Sequence, residues 1–214
     1  MRIELPSGTP AEVVGSSDQR GLVLVPDIMG LRPLFDELAE RLADQWQCTV
    51  VATELYPGQE SLDLQGRFAA ASSLDDGRVL GDMVAAADRT GAATVGVIGF
   101  CMGGMYVNKA VSTGRFNRLV SFYGMIHVPQ DWRGPGQGEP LEHLRDGDAS
   151  TLLAVVGTED PYTPAEAVAE LRESGAQVVE YSGAEHGFVH DPDRPAHRPA
   201  DADDAWQQAA HWLW

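Results

Sequence analysis

At 214 residues, 43% of them hydrophobic, the chain is long enough for one globular domain with an ample core. Its 15 basic and 32 acidic side chains leave a formal net charge of −17, spread along both halves. That balance argues against nucleic acid or an anionic membrane surface as a partner and for a self-repelling surface; a compact monomer is the default expectation.

Strand-like runs fall at about residues 2–5, 11–15, 21–26, 48–55, 93–100, 118–124, 151–157 and 176–183. Leu34, Leu38 and Leu42 share one face of a helix over about 33–45, and residues 79–89 and 103–112 carry further helical patterns. Thr163-Pro164-Ala165-Glu166 reads as a capping box opening a helix to about Ser174. A last helix begins near Asp201, with Trp206, Ala209 or Ala210, and Leu213 on one face and its tryptophans as core anchors. An opening hairpin followed by alternating strand and helix predicts a single α/β domain over 1–214, a mostly parallel eight-stranded sheet covered on both faces. Segments 57–77, 128–150 and 191–199 read as irregular, and no segment is long enough for a separate lid domain.

Two cysteines, Cys48 and Cys101, make no disulfide framework and no metal-finger spacing. Met1-Arg2-Ile3-Glu4-Leu5-Pro6 lacks the apolar core of a signal peptide, and the longest uncharged stretch is too short to span a bilayer. A reducing cytoplasm is the expectation, with Cys48 an inert core thiol and Cys101 free. The single lysine, Lys109, among many arginines reads as coding bias.

The chemistry centres on residues 93–105, an apolar β-branched run ending in Gly99-Phe100-Cys101-Met102-Gly103-Gly104. A nucleophile between glycines at a strand-to-helix bend has the form of a nucleophile elbow, which lifts one side chain clear of a parallel sheet. The N–H of Met102, at the helix start, would suit an oxyanion. A cysteine nucleophile needs a base and a group that orients the base. Asp160, after the strand at 151–157, and His186, after the strand at 176–183, supply them in the order nucleophile, acid, histidine. Glu159 is the rival acid, and His190 and His197 are rival histidines. The three histidines as metal ligands are disfavoured because no regular element sets their spacing. A glutamine amidotransferase would need a His-x-Glu pair, and Gly187-Phe188 follow His186 instead. A non-catalytic small-molecule receptor or a thiol redox sensor on the same scaffold is the alternative from another class.

Together Gly99 to Gly104, Gly157-Thr158-Glu159-Asp160 with Pro164, and Glu185-His186-Gly187-Phe188 resemble the dienelactone hydrolase family, from about Gly21 to the end. The resemblance implies the α/β-hydrolase fold and hydrolysis of small esters or lactones without metal or cofactor. It makes Cys101 the nucleophile, His186 the base and acid, and Asp160 the orienting carboxylate. It also implies a second oxyanion N–H from Ile28, beside that of Met102. Asp27 stands where the family usually carries a glutamate that touches the resting thiol; a carboxylate there would oppose a thiolate, so slow alkylation is expected. Tyr123 resembles the family's pocket wall. At the two places where family members acting on dienelactone hold its carboxylate with arginines, this chain offers His190, four residues after His186, and Arg67.

Overall fold

A computed structural model describes residues 1–214. The eight expected strands form one sheet in the order β1-β2-β4-β3-β5-β6-β7-β8. They are β1 (Arg2–Glu4), β2 (Pro10–Val14), β3 (Arg20–Val25), β4 (Thr49–Thr53), β5 (Thr94–Phe100), β6 (Arg118–Phe122), β7 (Leu152–Gly157) and β8 (Gln177–Tyr181). β2 is antiparallel to β1 and β4, and all the other pairings are parallel. The central strands are buried on both faces, hence their unbroken apolar runs. Alternation still sorts them: Val23, Val25, Val95 and Val97 enter one core, Leu22, Leu24, Ile98 and Phe100 the other.

Helices α1 (Pro33–Trp46) and α7 (Pro199–Leu213) cover the second core. The first is covered by α3 (Asp76–Thr90), α4 (Met102–Ala110), α5 (Pro140–Asp146) and α6 (Ala165–Glu173), with the short α2 (Leu64–Ala70) near Trp132. Two of these sit inside segments expected to be irregular. α2 has only seven residues, capped by Asp63, whose side chain accepts from the Gly66 N–H. α5 opens on Pro140 with a capping box between Glu139 and Glu142. Neither is long enough to display a helical period.

The capping box expected at Thr163 is absent. The Thr163 N–H closes a turn on the Asp160 carbonyl, Pro164 stays extended, and α6 begins at Ala165. β6 also ends earlier than expected, because Tyr123 takes φ 41° and turns the chain out of the sheet. Cys48 is buried with its thiol pushed up to about 11 by desolvation, consistent with inert packing.

Candidate active site

Cys101 sits between β5 and α4 at φ 55° and ψ −117°, a conformation that L residues rarely adopt. The bend depends on glycine: a Cβ on Gly99 would lie 2.4 Å from the Gly103 carbonyl, and one on Gly103 2.2 Å from that of Pro26. This close approach brings the turn after β3, with Ile28, against the start of α4. Neither the Ile28 N–H nor the Met102 N–H is used by another backbone or side-chain acceptor. Two such N–H groups beside a nucleophile suit a developing oxyanion.

Asp160 and His186 leave the sheet at the ends of β7 and β8. Asp160 Oδ2 lies 2.8 Å from His186 Nδ1, and its Oδ1 accepts from the Tyr162 N–H at 2.8 Å. Glu159, the rival acid, is exposed and makes no hydrogen bond to His186, whose Nδ1 is taken by Asp160. Tyr123 meets the His186 ring edge-on at 5.1 Å, with Tyr162 at 4.9 Å on another side. His186 Nε2 is buried without a hydrogen-bond partner, beside Cys101 in the same cavity. A loose approach of base to nucleophile is common before substrate arrives. Burial alone would lower the imidazole pKa; the hydrogen bond to Asp160 and the closeness of Asp160 and Cys101 outweigh it and push His186 up to about 9.

That shift fixes the sign of a pH effect. A group raised on folding contributes stability that is fully present below its unfolded pKa, about 6.5, and lost as pH rises through about 9. Histidine NMR titration should show one ring with a midpoint near 9. In Cys101→Ala, which removes one of the two sources, the midpoint should fall; an unchanged midpoint would leave Asp160 as the sole cause.

Asp27 does not make the thiol contact expected of it. Its Oδ1 accepts from the Met29 N–H (2.9 Å) and Arg32 Nη1 (2.6 Å), and its Oδ2 from Arg32 Nη2 (2.9 Å) and His190 Nε2 (3.0 Å). Burial favours the neutral acid, yet these donors hold its pKa well below the usual carboxylate range. Arg32 and His190 thus take up the carboxylate that the resemblance would turn toward the thiol.

The three expected pocket residues all lie behind the cavity. Arg67 is 1% exposed, with Nη1 3.3 Å from Glu54 Oε1 and 3.4 Å from the Ile28 carbonyl, so it braces the turn that carries Ile28. Glu54 completes that clip by accepting from the Leu31 and Tyr56 N–H groups. His190 and Tyr123 are both buried and hydrogen-bonded to each other.

The cavity, of about 290 Å³, is lined instead by Asp27, Ile28, Met29, Arg32, Leu64, Phe68, Cys101, Trp132, Tyr162, His186, Asp191 and Arg194. The apolar part of the lining is partly exposed, with Leu64, Phe68 and Tyr162 open to solvent and Phe68 packed on Trp132. The lining also carries Arg32 and Arg194. Sequence reasoning missed both, since a lone arginine in a loop carries no periodic or motif signal. Arg194 lies over Gly187, where a Cβ would come 2.6 Å from its Nη1, and no carboxylate stands within 4.0 Å of it.

A mostly parallel sheet with a strained, glycine-flanked cysteine bend after β5 and the paired Asp160 and His186 after β7 and β8 has the arrangement of an α/β hydrolase. Residues 8–214 match the dienelactone hydrolase family, and the chain belongs to it, among the hydrolases of carboxylic esters and lactones. A Bradyrhizobium protein assigned as a 2-oxo-3-(5-oxofuran-2-ylidene)propanoate lactonase is 29% identical over 212 residues, covering 90% of this chain and 82% of that protein. A carboxymethylenebutenolidase of Rhodococcus opacus is 27% identical over 215 residues, covering 93% and 81%. A solved Klebsiella pneumoniae structure assigned to the dienelactone hydrolases superposes with a TM-score of 0.86 at 23% identity, covering 100% of this chain and 97% of that one. No helix is long and apolar enough to cross a membrane.

Proposed function

We propose that the protein opens small carboxylic esters or lactones through a Cys101-His186-Asp160 triad and a thioester intermediate. The observation that carries this reading is the 2.8 Å Asp160–His186 pair set beside the strained Cys101 elbow in one cavity. The Cys101 sulfur, its proton on His186, attacks the carbonyl carbon. The Ile28 and Met102 N–H groups hold the resulting oxyanion. Collapse breaks the C–O bond, and His186 Nε2 gives its proton to the departing alkoxide, which in a lactone stays tethered to the acyl chain. His186 then takes a proton from water as that water attacks the thioester, and the acid and the thiol are released. A reducing compartment, for which the cytoplasm is our reading, keeps Cys101 in the thiol state this cycle requires.

Among the lining cations, Arg32 is paired with Asp27 and His186 with Asp160, which leaves Arg194 for a substrate carboxylate. The names of the Bradyrhizobium and Rhodococcus relatives, a propanoate lactonase and a carboxymethylenebutenolidase, both describe carboxylate-bearing lactones. The apolar lining residues then take the uncharged portion.

Steady-state hydrolysis of neutral short-chain esters, simple lactones and a carboxylate-bearing dienelactone tests both parts. Turnover should vanish in Cys101→Ala. Arg194→Ala should lower kcat/KM on the anionic lactone by about ten- to a hundredfold, the worth of a charge-assisted hydrogen bond, and by much less on neutral esters. Equal activity of wild type and Cys101→Ala would overturn the triad. Equal losses on both substrate types would remove Arg194 from carboxylate recognition.

A further inference from the structure

The geometry points to His190 as a positioning residue: it holds Asp27, and through Asp27 the turn that presents the Ile28 N–H to the oxyanion. This assignment rests on the hydrolase reading above. It gives His190, Tyr123 and Asp27 roles different from the substrate and thiol contacts expected of them.

The proton arrangement follows from the partners. Asp27, ionised and already accepting from Arg32, can only accept from His190, so Nε2 carries the hydrogen. Burial among Phe35, Phe100 and Tyr123 keeps the imidazole neutral, so Nδ1 is an acceptor. The Tyr123 hydroxyl, held protonated by burial, donates to it. Both ring nitrogens are thereby fixed in one tautomer with one orientation.

What the chain of bonds holds is functional backbone. Asp27 Oδ1 takes the Met29 N–H and the Asp27 carbonyl takes the Gly30 N–H, folding residues 27–30 into a tight turn with Ile28 at its tip. At the other end, the ring whose hydroxyl donates to His190 packs edge-on against His186. His190 therefore joins the oxyanion turn to the packing of the catalytic histidine, across 163 residues of sequence from Asp27. It touches no reacting atom; its action is to keep two groups that do in register.

Three variants test this: His190→Phe, which fits the aromatic surroundings but loses both bonds; His190→Gln, which keeps an N–H at the reach of Nε2; and Tyr123→Phe. Each is assayed for hydrolysis of a neutral activated ester, for amide exchange by NMR and for its unfolding midpoint. His190→Phe should lower kcat about ten- to a hundredfold while KM stays within about threefold. Met29 and Gly30 amides should exchange several-fold faster, with the β3 amides unchanged. His190→Gln should recover most of kcat, and Tyr123→Phe should fall between. Wild-type kcat and unchanged Met29 exchange in His190→Phe would overturn the inference. A kcat loss that only tracks a lowered unfolding midpoint, without rescue by glutamine, would reduce His190 to packing and also overturn it. If wild type hydrolyses nothing, the proposed function falls, and Met29 and Gly30 exchange decides the positioning role alone: acceleration upholds it and no change removes it.

Discussion

Lys109→Met is expected to lower the free energy of unfolding by about 3–5 kcal/mol, the cost of leaving a buried charge without its partner. Lys109 is fully buried on α4, its Nζ 2.8 and 3.0 Å from the Asp76 carboxylate oxygens and over the Tyr106 ring at 4.9 Å. Asp76 opens α3 and also accepts from the Gly138 N–H at 2.8 Å, with His143 Nε2 at 3.5 Å. One ion pair thus ties together α3, the loop leading into α5 and the helix that begins at the Cys101 elbow. Burial disfavours the ammonium and lowers its pKa, while Asp76 opposes that shift. Removing the lysine leaves a carboxylate held only by Gly138 and His143. The double variant Lys109→Met/Asp76→Leu should recover a large part of the loss, because apolar side chains of similar volume can replace a buried pair. Denaturant unfolding of the wild type and the single and double variants checks this. A single-variant loss under 1 kcal/mol would show that Asp76 relaxes to solvent.

This pair also marks where sequence reading stops. A lone lysine among arginines carries no pattern, and Asp76 is 33 residues away. The elbow, by contrast, was legible because its parts are local: a β-branched run, then glycines at 99 and 103 wherever strand and helix must nearly touch. Asp160 and His186 were legible through their order and their place after strands, since a parallel sheet gathers such loops at one end. The same logic misassigned Tyr123, His190 and Arg67. Each lies in the right loop, but a loop position does not say whether a side chain faces the cavity or the core behind it. Glu54, which neutralises Arg67, comes from the end of β4, and nothing along the chain announces that meeting. Helices α2 and α5 were hidden for a different reason. Seven residues make two turns, too few for an apolar stripe to be told from chance.

Asp160→Asn should cost up to about 10⁴-fold in kcat with little loss of stability, if the triad acts as proposed. In wild type the carboxylate accepts from His186 Nδ1–H at 2.8 Å, which leaves Nε2 to face Cys101. An asparagine rotated so that its NH₂ meets Nδ1 forces the hydrogen onto Nε2 of a neutral ring. Nε2 then has no lone pair to take the thiol or water proton. The charge is lost as well, so the His186 pKa should fall from about 9. The two effects separate by pH and by step. Loss of charge shifts the acidic limb of the rate profile, whereas the wrong tautomer lowers the plateau at every pH. Deacylation, in which His186 must take a proton from water, should suffer at least as much as acylation. A thioester trapped on Cys101 and visible by intact mass is therefore expected from Asp160→Asn but not from Cys101→Ala. Full activity of the asparagine variant would mean that another group orients His186. The candidates are then Glu159, exposed in the same loop as Asp160, and the Tyr123 and Tyr162 rings that pack against His186.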